Sequence, residues 1–103
     1  MKTRYEIELN YCQAMNAAKR LDEIASSVER TTDKKIRDIE VRIRGGWKGK
    51  NSELFRSKLL KEAERARKNV KKIRSAANTI RTIAANIRAA ELKALELAEK
   101  RIY

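Results

Sequence analysis

The sequence predicts an all-α chain, an antiparallel two-helix hairpin that dimerises into a four-helix bundle. Three observations lead there. Proline is absent and Ala, Leu, Ile, Glu, Lys and Arg dominate; two long stretches carry apolar residues at steps of three and four; and all three glycines fall in one short segment between those stretches. Apart from Ile, these residues lose little side-chain freedom in a helix, and an aromatic content of 5% is poor material for sheets. At 103 residues, 39% charged and 42% hydrophobic, the chain is sized for a single domain, 1–103, with too little apolar surface for a thick core.

The first helix is expected over about 4–44. Ile7, Tyr11, Ala14, Ala18, Leu21, Ala25, Val28, Thr32, Ile39 and Ile43 step mostly by alternating fours and threes, which places them on one helix face. The second helix is expected over about 52–101. Phe55, Leu59, Ala63, Ala66, Val70, Ile73, Ala77, Ile80, Ala84 and Ile87 repeat the pattern over more than four heptads, as a coiled-coil seam does. In an antiparallel hairpin, facing residues have numbers that sum to a constant. Nine pairs, from Ile43 with Phe55 to Tyr11 with Ile87, sum to 98. Several set a large residue on a small one, such as Leu21 on Ala77 and Ala18 on Ile80, as interdigitating layers require. Two lapses are expected: a skip in the heptad near Ile36, and an opening of the hairpin near Ile7, which falls opposite Glu91.

The turn, 45–51, holds Gly45, Gly46, Trp47 and Gly49 in the stretch RGGWKGKNSELF. Gly45 and Gly46 can leave the first helix through positive φ, Gly49 can reverse the chain without a Cβ penalty, and Asn51 or Ser52 can cap the second helix. Each helix is then about 60 Å long at ~1.5 Å per residue. One seam between two helices buries little per residue, so burial gain and ordering entropy nearly cancel. A second hairpin supplies the missing burial. The docking row is Ala76, Ile83, Ala90 and Leu97, at spacing seven beside the seam, with Ala17 and Ile24 on the first helix; two hairpins joined there make the bundle.

A Trp-x-Gly in the turn of a hairpin of about this size, here Trp47, Lys48 and Gly49 followed by Ser52, Glu53 and Phe55, resembles the WXG family of small proteins handled by type VII secretion. The resemblance implies a hairpin that pairs as a homodimer or heterodimer. It also implies export in the folded state by a leaderless route from the cytoplasm, as a substrate or as the targeting partner of an effector. It brings in the secretion ATPase and a related hairpin or an effector N-terminal domain as partners, and makes Trp47 a contact residue. One departure stands out. Family members that carry the export signal show Tyr-x-x-x-Asp/Glu after the second helix, and this chain has Leu95-x-x-x-Glu99 before ending on Tyr103. Either the partner supplies the signal or this chain uses a divergent one.

The net charge of +12 calls for an anionic partner. It is densest from Arg56 to Arg74, where Arg56, Lys58, Lys61, Arg65, Arg67, Lys68, Lys71, Lys72 and Arg74 stand against Glu62 and Glu64. A solvated helix face is the plain reading of such a run. Docking of an acidic related hairpin is the functional one, because a homodimer would repel itself. The alternative function is a cytoplasmic basic hairpin that binds nucleic acid non-specifically through phosphates.

Other chemistries find no support. No catalytic residue is expected, since the carboxylates sit on convex helical surfaces among Lys and Arg. No metal and no cofactor is expected from a chain with one cysteine and no histidine. Gly45 to Gly49 falls short of phosphate-loop spacing, and Asn51 stands where a magnesium-holding Ser/Thr would be. Cys12 is expected to be a small hydrophobe beside the seam. No stretch approaches the ~18 apolar residues that cross a bilayer, and no apolar leader follows Met1, so membrane insertion is not expected.

Overall fold

The computed structural model describes residues 2–101. Among them all regular structure is helical: α1, Arg4–Arg44, and α2, Lys50–Arg101. The chain is an antiparallel two-helix hairpin with two compact units, one formed by Met1–Asp22 with Ser75–Tyr103 and the other by Glu23–Arg74. Ile102 and Tyr103, the end of the tail compared above with an export signal, lie outside the described residues.

In the first unit, Ile7, Ala18, Ala77 and Ala84 are buried, with Tyr11, Ala14, Leu21 and Ile80 half-buried beside them. In the second, Ala25, Ile39, Ala63 and Val70 are buried, with Val28, Thr32, Leu59, Ala66 and Ile73 half-buried. These are seam positions, and most of the fully enclosed ones carry alanine. Apart from Ile7, Ile39 and Val70, the large seam residues are only partly covered because a two-helix layer has no third side to close over them. Near Ile36 the heptad shifts as expected: Lys35 is exposed and Ile36 turns half inward.

Three expectations along the seam are corrected. The hairpin does not open at Ile7, which is 2% exposed; Lys2 reaches Glu91 at 3.0 Å and Arg88 clasps Glu8, so ion pairs close the end where the apolar pattern stops. Phe55 and Ile87, by contrast, remain 49% and 51% exposed. Phe55 leaves the seam for the edge of Trp47, while Ile87 lies along an open groove with Ile7, Tyr11 and Arg88. Cys12 is exposed rather than packed beside the seam.

The ends of α1 are well capped. Thr3 Oγ1 accepts from the Glu6 amide at 3.2 Å, an N-cap bond, and the Thr3 hydroxyl donates to the Glu6 carboxylate at 3.3 Å. At the other end the Gly46 amide donates to the Ile43 carbonyl and the Trp47 amide to the Arg42 carbonyl, both at 3.2 Å. With Gly46 at φ +106° this is a Schellman ending. Gly45 does not leave the helix through positive φ as expected; only Gly46 and Gly49 do.

Candidate functional site

The turn belongs to the second unit and is built around Gly49, whose φ is +109°. Its carbonyl accepts from the Glu53 amide at 3.2 Å and from the buried Ser52 hydroxyl at 2.7 Å. Helix α2 therefore begins at Lys50, two residues before the expected start, with Gly49 at its N-cap and neither Asn51 nor Ser52 in that role. Ser52 instead donates inward, which is why a small hydroxyl residue suits the inside of the bend. Trp47 is half-buried and meets Phe55 edge to face at 5.7 Å between centroids, a favoured aromatic geometry. A groove of about 470 Å³ lies alongside, between Trp47, Ile43 and Arg56.

The row expected to dock a second hairpin lies on the surface. Ala76, Ile83, Ala90 and Leu97 are all exposed, Ile83 at 51% and Leu97 at 50%. Ala17 of the first unit and Ile24 of the second are exposed as well. Within the first unit the row has a definite side. Arg81 pairs with Asp22, and Arg88 makes a two-pronged contact with Glu8 at 2.7–3.1 Å. Ile83 and Ala90 follow these arginines by two positions, a rotation of about 200° at ~3.6 residues per turn. One flank of the seam is thus closed by ion pairs and the other is apolar and uncovered.

The basic run of the second unit divides in the same way. Arg56, Arg67 and Arg74 turn toward α1 and pair with Glu40, Asp33 and Glu29; Arg74 also approaches Ser26. Arg56 and Arg67 stay exposed while paired, and Arg74 is half-buried. Lys71 borders a groove of about 290 Å³ with Thr32, Ala66 and Val70. Lys58, Lys61, Arg65, Lys68 and Lys72 face outward and are exposed.

Sequence reasoning missed this ladder, although its signal is present: arginines recur at spacing seven (Arg67, Arg74, Arg81, Arg88) and acids at Glu8, Asp22 and Glu29 by multiples of seven. Charges flanking a seam fix register and orientation. The Glu8 carboxyl is held below its ordinary pKa, first by the hydrogen bond from Arg88, and Arg88 is raised in turn by Glu8. The Arg88 guanidinium also lies 5.3 Å from the Tyr11 ring centre, within cation–π range.

Among the described residues no group of three or more His, Cys, Asp or Glu side chains could hold a metal ion, and no helix is long and apolar enough to cross a membrane. The +12 charge is unevenly held: the second unit has 17 of the 26 Lys and Arg and 8 of the 14 Asp and Glu, a net of +9. No protein-family model, curated protein or solved structure matches this chain.

Proposed function

We propose that this chain is a WXG-type dimerising subunit of type VII secretion, acting as a substrate or as the targeting partner of an effector. The observation that carries the reading is the uncovered row of Ala76, Ile83, Ala90 and Leu97 on the flank opposite the Arg81 and Arg88 ion pairs. A hairpin with one closed flank and one apolar flank gains burial by docking a second hairpin on the open side. The Trp47-x-Gly49 bend, with Phe55 against the indole, supports the family reading. In this role the chain binds and presents surfaces, and performs no chemistry.

Native mass spectrometry of the full chain, alone and with the product of a neighbouring gene, tests the association. A homodimer or a one-to-one complex is expected, and Leu97→Asp should weaken it at least tenfold while circular dichroism shows helicity retained. Association unchanged by Leu97→Asp removes the row from the interface, and a chain that is monomeric in both samples refutes the dimerising role.

A second reading draws on the +9 of the second unit: non-specific nucleic-acid binding through phosphates, which would weaken steeply with salt. The outward cations lack interleaved aromatics for base stacking, so this reading stands second.

A further inference from the structure

Once the arginines that pair with α1 are set aside, the remaining cations of the basic run show an order of their own. Lys58, Lys61, Arg65, Lys68 and Lys72 follow steps of three, four, three and four, which aligns them along one side of a helix. All five are exposed. Lys68 has only the exposed Glu64 near it, at 3.7 Å, and the other four make no ion pair among the described residues. Successive members are like charges one turn apart, which repel. The line spans fifteen residues of α2, about 21 Å for fourteen rises of ~1.5 Å.

We propose that this line grips one helix of an acidic protein partner, whose carboxylates recur at the same three- and four-residue spacing. The inference rests on the dimerising role above and adds the chemistry of a heterologous partner and the place where it is held. Its basis is a match of repeats. A cation every three or four residues advances about 5 Å along the axis, and so does a carboxylate on a second helix lying alongside, so the five cations meet their counterparts in register. A duplex carries a phosphate about every 3.4 Å per strand on a path that winds away from a straight line. The flanking residues point the same way. Ser57, Glu62, Glu64, Asn69 and Lys71 offer no aromatic for a base, and Glu62 and Glu64 repel dense phosphate. Arg56, Arg67 and Arg74 hold α1, so the line can bind without opening the hairpin.

The test uses the full chain and fluorescence anisotropy at about 150 mM salt. The probe is a labelled, alanine-based helical peptide of about 20 residues carrying five Glu on one face at this spacing. Comparison probes are a peptide of identical composition with the Glu distributed around the helix, a duplex DNA of about 20 base pairs, and phosphatidylserine vesicles. The patterned peptide should bind at least tenfold more tightly than the scrambled one, and replacing all five cations by Gln should abolish that preference while circular dichroism shows α2 intact. Equal binding of the two peptides, an unchanged preference in the Gln variant, or tighter binding of DNA or vesicles than of the patterned peptide overturns the proposal. Leu97→Asp, which probes the apolar row, should leave the peptide preference in place, so failure of the dimerising role and failure of this proposal give different results.

Discussion

Replacing the glycines of the bend one at a time separates conformational need from spatial need. At Gly46 and Gly49 a Cβ would meet nothing within 4 Å, so space is not the constraint. Their φ values of +106° and +109° are the constraint, because an L-residue there suffers a steric cost of about 1–2 kcal/mol. At Gly45 the φ is not positive and a Cβ would sit 3.4 Å from the Val41 and Arg42 carbonyl oxygens, a contact at the edge of the ordinary range. Gly45→Ala also restricts the unfolded chain, which returns about 0.4–1 kcal/mol. Gly46→Ala and Gly49→Ala are therefore each expected to lower the melting temperature by about 4–8 °C, using ~4 °C per kcal/mol for a chain near 100 residues. Gly45→Ala should not lower it, since its gain from the restricted unfolded chain is worth about 2–4 °C on the same scale and the 3.4 Å contacts offset only part of it. Thermal melts followed at 222 nm, at one fixed chain concentration because association adds to apparent stability, measure all three. If Gly45→Ala destabilises as much as Gly46→Ala, or if Gly46→Ala melts with the parent, the Schellman account of the bend is wrong.

The remaining predictions concern the first unit. The folded pKa of the Glu8 carboxyl is depressed, so its contribution to stability is present above the ordinary carboxylate range and is lost as the pH falls through that range toward the lowered value. A carboxyl titration by NMR should place Glu8 below ordinary glutamates, and Arg88→Gln should bring it back up; an unmoved titration would show that the Arg88 hydrogen bond is not the cause. Ala18 is fully buried and its neighbour Ala17 is exposed. Ala18→Leu should cost about 1–3 kcal/mol by overpacking, and Ala17→Leu little, as read from urea unfolding; equal effects would contradict the register.

Helix α1 was legible to its ends because a fixed glycine cluster bounds it and its three-four pattern lapses only near Ile36. The start of α2 was not. Ser52 is a good N-cap type, but which residue caps depends on where Gly49 turns the chain, a choice the residue string leaves open. Ile7 was misjudged because only apolar partners were sought opposite it, and the end of the seam is closed by Lys2–Glu91 and Glu8–Arg88 instead. The same habit led Arg67 and Arg74 to be grouped with Lys68 and Lys72 by nearness in sequence, although a one- or two-residue step turns a side chain by 100° or more around a helix. The shared exposure of Ala76, Ile83, Ala90 and Leu97 was readable, since spacing seven fixes which residues share a side.

The contrast between the two edges of the first unit also bears on how an assembly built from it would stop. A body adhesive along both edges could add neighbours without limit and grow into a filament or sheet. Here Asp22, Arg81, Glu8 and Arg88 satisfy one another along one margin, so a partner docked on Ile83 and Leu97, as proposed, would leave the next copy no matching apolar row on the ion-paired side.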